Sequence, residues 1–366
     1  MVRIIAKVFL ALILAALAAA ALVLLFLFLS PTVGQVPDKT GPDGIDGGSD
    51  HWADGQFHNE NDARTMTEGS SPGSSRKIPK TALPAETPSF LTGVQDGDLS
   101  FTWIGHSSFL LQMGKCNVLV DPILSRRSSP VGFAGPKRFS ELSVTADGLP
   151  EIDVLFVSHD HYDHLDYQTI LALKDRVGSF VVPLGLNSIL AGWGIDEQKI
   201  HPLDWWESVE LGGVTFTLTP SQHFSGRNPL KGNRTLWGGV VLDNGIHRVY
   251  YTGDGGYYDV VRTVREKLGA PDLMIAECGQ YDAAWAKVHM FPEQTVQAGI
   301  DAEAAWLVPV HWGSFCICNH AWDDSIRRVT AAAEAAGLPI ATPQIGQTVD
   351  FRDIASYNEH WWEAYE

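Results

Sequence analysis

Four groups able to bind a metal ion fall within six residues of this chain. His159, His161, Asp163 and His164 form the pattern H-x-H-x-D-H. A divalent ion needs several nitrogen or oxygen donors converging at about 2.0–2.2 Å. On a turn after a strand, His159 and His161 can face one ion. Asp163 and His164, entering the next helix, can face a second. The apolar run Ile152–Val157 leads into the motif, and solvated histidines gathered by chance are a poor account of that density. Three more donors follow apolar runs: His223 after Thr219-Pro220-Ser221-Gln222, Asp254 after Tyr251-Thr252-Gly253, and His311 after Val308-Pro309-Val310. Each alone reads as a structural residue. Together they complete two sets, with three imidazoles for one ion, two imidazoles and a carboxylate for the other, and Asp254 bridging. Imidazole and carboxylate without thiolate favour two zinc ions, with iron or manganese as alternatives. Such a pair supplies a hydroxide near neutral pH and polarises the oxygen under attack. Neither a Ser-His-Asp nor a Cys-His arrangement is visible. His106, in Gly105-His106-Ser107, reads as a supporting residue rather than a ligand.

The elements that must position these groups are strands first and helices later. Leu99–Ile104, Asn117–Val120, Ile152–Val157, Val214–Thr219, Leu236–Leu242 and His247–Tyr251 are short apolar or alternating runs. The last two are joined by a turn at Asp243-Asn244-Gly245. Helical patterns fall at Tyr167–Lys174, Val260–Leu268, Glu293–Ala302 and Asp323–Ala336. This order suits two sheets packed face to face with helices outside.

The formal net charge of −17 disfavours a polyanionic partner such as nucleic acid. Four cysteines, Cys116, Cys278, Cys316 and Cys318, are too few for a disulfide scaffold. Cys316 and Cys318 read as small core residues near a ligand, and the redox state is left open. Val8–Leu29 is an unbroken apolar run of 22 residues, enough to cross a bilayer core of about 20 helical residues. Arg3 and Lys7 precede it, so residues 1–30 read as an uncleaved signal anchor with the N-terminus cytoplasmic and the rest outside. A cleaved signal is the alternative. Residues 31–89 read as a flexible linker rich in Gly, Pro and Ser, with Trp52 and Phe57 as possible docking points. The catalytic domain is expected over 90–366.

The order of donors resembles the metallo-β-lactamase superfamily. Within it, Asp121-Pro122-Ile123-Leu124-Ser125, Gly135-Pro136-Lys137-Arg138-Phe139, Pro183-Leu184-Gly185, Asp204-Trp205-Trp206-Glu207 and His311-Trp312-Gly313 resemble the phospholipase D branch that hydrolyses N-acyl-phosphatidylethanolamine. The similarity runs from about Trp103 to Gly346. It implies an α+β fold of four αββα layers. It also implies a catalytic-site role for His289 in His289-Met290-Phe291-Pro292, where Phe291 replaces the family's aspartate. Asp121 would then stand near the metals, although a turn cap accounts for it equally. The expected reaction is attack on a phosphodiester phosphorus, with Asp163 orienting the nucleophile and His289 assisting at the oxyanion or leaving oxygen. The expected partners are a phospholipid and the membrane. Arg126, Arg127, Lys137 and Arg138 form a basic cluster able to meet head groups. A lactonase or other carboxyl-ester hydrolase is the second reading, and a membrane-bound metal-binding scaffold the third.

Overall fold

The computed structural model describes residues 2–35, 44, 48–61, 67 and 69–365. Strand β1 (Trp52–Ala53) and β2 (Gln56–Phe57) form a small hairpin. The next six strands are β3 (Leu99–Gly105), β4 (Ser108–Met113), β5 (Cys116–Val120), β6 (Ile152–Phe156), β7 (Val177–Pro183) and β8 (Ile200–Leu203). With β15 (Thr348–Asp350) they make a seven-stranded sheet in the order β15-β3-β4-β5-β6-β7-β8. A second sheet has the order β14-β13-β12-β11-β10-β9, from β9 (Ser208–Leu211), β10 (Val214–Thr219), β11 (Gly239–Asp243), β12 (Arg248–Tyr251), β13 (Leu273–Glu277) and β14 (Trp306–Val310). Both sheets are mixed. β5 to β8 run parallel, as do β12 to β14, and the other pairs are antiparallel.

Alternation along the strands divides the core into two. Phe101, Phe109, Val118, Val154 and Phe156 of the first sheet share one cluster with Phe216, Leu218, Val240 and Val249 of the second. Leu110, Leu119, Leu155 and Phe180 point the other way. They pack against Ile170 of α2 (Tyr167–Leu173) and Leu186 and Ile189 of α3 (Leu186–Gly192). On the far side lie α4 (Val260–Leu268), α5 (Pro292–Asp301) and α6 (Asp324–Ala336). The result is the expected four-layer sandwich. The strands that the sequence pattern passed over, β4, β7 and β13 among them, are buried along most or all of their length. Such strands show a continuous apolar run rather than alternation.

Helix α1 (Val2–Leu29) is long and apolar enough to cross a membrane. Where 31–89 is described, much of it lies on the domain instead of hanging free. Phe57 and Leu83 are buried, and Trp52 packs against the core. Leu83 also bridges to Ser140, and the Glu86 N–H donates to the Ile345 carbonyl. A few apolar anchors thus suffice to order a segment poor in them. Trp52 and Phe57, the docking points that the segment offered, lie against the domain, and Leu83 joins them.

Candidate metal centre

Buried strands end where the donors begin. β6 lies between β5 and β7, and its last residues, Leu155 and Phe156, are fully buried. Beyond it the chain turns sharply: the His161 carbonyl accepts from the N–H of both His164 and Leu165. This turn presents all four donors within one loop. Asp121 follows β5 and His311 follows β14, with φ of 41° and 69°. A non-glycine residue rarely holds positive φ, and such strain clusters at functional sites. Here it turns the chain at the strand end. Gly279 is required alongside, since a Cβ there would stand 1.7 Å from the His311 carbonyl oxygen.

The donors meet in two overlapping groups. His159, His161 and His223 form one, with His159 Nε2 3.0 Å and His223 Nε2 3.2 Å from His161 Nδ1. Asp163, His164 and His311 form the other with His106. Asp254 lies between them. Its Oδ2 is 3.1 Å from His164 Nε2 and 3.9 Å from both His159 Nε2 and His223 Nε2. All seven candidate ligands therefore come together, with Asp254 within reach of both groups. His311 Nε2 is buried without a hydrogen-bond partner, 3.6 Å from Asp163 Oδ2. A buried orphan among nitrogen and carboxylate donors is what a metal ligand presents, so these residues fit a metal group.

Supporting contacts fix which nitrogen faces inward. Asp121 Oδ2 is 2.8 Å from His164 Nδ1 and accepts from Ser158 Oγ and the Tyr251 hydroxyl at 2.6 and 2.7 Å. His223 Nδ1 donates to the Val288 carbonyl at 2.9 Å. Both arrangements leave Nε2 for an ion, the usual carboxylate– or carbonyl–histidine support. Asp121 is fully buried behind His164, so it positions a donor and does not reach the cavity. His106 donates to Asp163 Oδ2 at 3.0 Å.

Charge follows from these contacts. Burial, together with the neighbouring imidazoles, holds His159 and His223 well below the ordinary histidine range, so both are in the neutral, metal-binding form. Burial brings His106 down to about 3. Burial alone would raise Asp163 and Asp254. The neighbouring His164 and the histidine hydrogen bonds outweigh it and hold both carboxylates below the ordinary range. Burial also works against a charged His289, but Glu277 beside it raises its pKa above the ordinary value. His289 Nδ1 lies 3.4 Å from Glu277 Oε1, and the ring stands 5.1 Å from His223 and 5.4 Å from His311. It shares a possible donor group with His223 and Asp254. Phe291 faces Tyr281 at a ring distance of 5.0 Å.

A cavity of about 310 Å³ opens onto the cluster, with His161, Asp163, Asp254, His289 and His311 on its polar side. Phe224, Trp285, Val288 and Ile317 make its apolar wall. Residues 116–312 match the beta-lactamase superfamily domain. The chain belongs to the metallo-β-lactamase superfamily. A relative from Mycobacterium tuberculosis, itself uncharacterised, is 38% identical over 276 residues, 74% of each chain. The Caenorhabditis elegans protein named N-acyl-phosphatidylethanolamine-hydrolyzing phospholipase D 1 is 32% identical over 255 residues, 66% of this chain and 71% of that one. A possible metal-dependent hydrolase from Veillonella parvula shares the fold, with TM-score 0.56 at 19% identity over 69% of this chain and 99% of the other. This member of the superfamily is thus a metal-dependent hydrolase by fold and kinship, with a histidine–aspartate cluster that could bind metal.

Several contributors carried no local sequence signal. Arg227 donates to the carbonyls of Asp160 and Leu165 at 2.8 and 2.6 Å, and the Asp160 carboxylate accepts from the Gly226 N–H at 2.7 Å. Together they brace the donor loop. Asn59 pairs with both the N–H and the carbonyl of His223, at 3.0 and 2.9 Å. Glu277 accepts from the Met290 N–H at 2.7 Å and flanks His289. These partners lie tens of residues or more from what they support, except Glu277, whose place at the end of β13 could have drawn notice. Arg138 departs from the basic cluster expected of it: it is buried, donates to the Ile123 carbonyl at 2.6 Å and stacks on Phe315 at 4.6 Å. All four cysteines are free thiols.

Proposed function

We propose that the chain is a dinuclear phosphodiesterase of phospholipase D type, acting on N-acyl-phosphatidylethanolamine-like glycerophospholipids at a membrane. The observation that carries this reading is the cavity, which sets an apolar wall against a polar floor of histidines and aspartates. Such a site suits a molecule whose phosphate sits beside alkyl chain. The phospholipase D relative supports the same substrate class. His159, His161 and His223 would hold one ion, Asp163, His164 and His311 the other, and Asp254 both. Zinc is the favoured metal for this donor set. When bound, the ions supply Lewis acidity and a nucleophile at neutral pH.

The chain's own groups do the rest. Asp163, kept ionised by His164 and His106, orients the attacking water. His289, with its raised pKa, keeps a proton for the leaving oxygen or stabilises charge developing on the phosphoryl group. Phe224, Trp285, Val288 and Ile317 hold the alkyl portion and exclude water. Helix α1 anchors the enzyme, with the catalytic domain outside the cytoplasm. An alkaline phosphatase fused to the C-terminus should be active in intact cells; an inactive fusion would reverse that topology.

The deciding experiment is product analysis in heavy-oxygen water with vesicles containing N-acyl-phosphatidylethanolamine. Cleavage at phosphorus puts the label in the phosphate of phosphatidic acid. Label in a carboxylate, or turnover confined to lactones, would move the chain to the carboxyl-ester class.

A further inference from the structure

The loop from Arg126 to Arg138 separates the catalytic cavity from a second cavity of similar size. Ser128 and Pro136 line the first. Arg126, Arg127 and residues 129–132 line the second, about 310 Å³, and Thr32 lines it with them. Tyr162 lines both. The loop is a closed and braced hairpin. Arg127 bridges to Lys137, and the Ser128 N–H donates to the Pro136 carbonyl at 3.1 Å. The Arg127 guanidinium donates across the loop to the Gly132 and Gly135 carbonyls at 3.2 and 2.5 Å. Gly135 has φ 89°, and a Cβ there would lie 2.7 Å from Ser129, so the turn stays tight. At the tip, Phe133 is 83% exposed. An aromatic ring so far out on a braced loop adds nothing to the core.

Thr32 fixes what this face meets. It lies three residues beyond Leu29, the last residue of α1. The helix end is tied to the domain: Trp193 Nε1 donates to the Pro31 carbonyl at 2.8 Å, and Arg227 Nη2 to the Thr32 carbonyl at 2.6 Å. Asn228 reaches the Leu27 carbonyl at 3.3 Å, and two residues on Leu230 is 58% exposed. A helix that leaves a bilayer at Leu29 puts Thr32, and the arginines sharing its cavity, at the depth of the head groups. An exposed phenylalanine on a surface-lying element buries itself at the boundary of head groups and acyl chains, and arginines there meet phosphates. Arg126 and Lys137 are exposed in a chain whose net charge is −17.

We propose that the Arg126–Arg138 loop is a lipid-docking loop. Phe133 dips into the interface, and Arg126 and Arg127 hold phosphates of neighbouring phospholipids. The mouth of the catalytic cavity, behind Ser128 and Pro136, is thereby held against the leaflet. This rests on α1 crossing a bilayer and is independent of which bond the enzyme cleaves.

The test uses the full chain in nanodiscs of phosphatidylethanolamine and phosphatidylglycerol. Photoreactive p-benzoylphenylalanine replaces Phe133, or Phe28 in the anchor, or Ile246 on the β11–β12 turn at the opposite end of its sheet. Mass analysis of the irradiated protein should find lipid adducts at Phe133 nearly as abundant as at Phe28, and about tenfold above Ile246. Arg126→Gln, which spares the Arg127 brace, should cut the Phe133 adduct about fivefold, the equivalent of about 1 kcal/mol for one basic group at an anionic surface. Three results would overturn the proposal: Phe133 adducts no higher than those at Ile246, protein–protein adducts in place of lipid, or no lipid adduct even at Phe28. The last would remove the anchor itself. None of these readings requires turnover, so a failed phospholipase assay leaves them intact.

Discussion

The two sheets build one cluster by different means. The seven-stranded sheet delivers His159, His161, Asp163 and His164 on a single turn after β6, braced by Asp121 and by Arg227. The six-stranded sheet, by contrast, delivers His223, Asp254 and His311 one at a time, beyond the ends of β10, β12 and β14. A loop with four donors is a single mechanical unit, and a fault in its support reaches all of them. Donors on separate strand ends are held by a sheet that must itself fail before they move together. The difference predicts where damage spreads and where it stays local.

The largest effect should come from the donors themselves. Chelation should abolish turnover, and added divalent metal should restore it. His161→Ala and His223→Ala should each lower metal content and abolish turnover, because each removes a donor from the same imidazole trio. Elemental analysis beside an activity assay reads both. Full activity in metal-free protein would remove the basis of the comparison.

His289 sits on the six-stranded side and tests whether every histidine there is a donor. His289→Ala should retain its metals and slow turnover by roughly 10²–10⁴, the usual range for acid–base or oxyanion assistance. Metal loss equal to that of His223→Ala would make it an eighth ligand. Unchanged turnover would make it an ordinary loop residue.

Support of the donor loop should count for less than the donors. Asp121→Asn weakens the contact that orients His164, and such partners are worth about 10–100-fold in metal affinity. Titration with a competing chelator would measure it. Selective loss of one ion would mean that donors within the loop respond singly. Weakening of both would show the loop failing as a unit.

How much of this was legible in the sequence follows the same division. The contiguous motif was plain because four donors in six residues need no fold to be seen together. His223, Asp254 and His311 were legible only through their order and the strands before them. The sandwich could be inferred from alternating runs such as Val214–Thr219, whereas β4 and β13 were missed because burial on both faces erases alternation. Arg227 and Asn59 were invisible. Their partners lie far away in sequence, and no local pattern marks a side chain that will satisfy a distant backbone. For the same reason 31–89 read as linker with Trp52 and Phe57 as its docking points while Leu83 went unmarked, since composition reports how little a segment can bury and not where each apolar residue will lodge.

Asn59 gives the smallest expected effect and the sharpest probe of that segment. Its amide completes the hydrogen bonds of the His223 backbone as a neighbouring strand would, and its Oδ1 also accepts from Trp237 Nε1 at 3.2 Å. Asn59→Ala leaves the N–H and carbonyl of a buried residue to find other partners, at a cost of about 1–2 kcal/mol. Denaturant unfolding should show that loss with an unchanged slope. The contact of the His223 ring itself, from Nδ1 to the Val288 carbonyl, is untouched by the change. Metal content should therefore hold while stability falls, because β10 and the Val288 contact still aim the ring. Stability equal to that of the unsubstituted protein would return 31–89 to the status of a tether. Loss of one metal ion would show instead that a donor on the six-stranded side depends on remote support as much as the braced loop does.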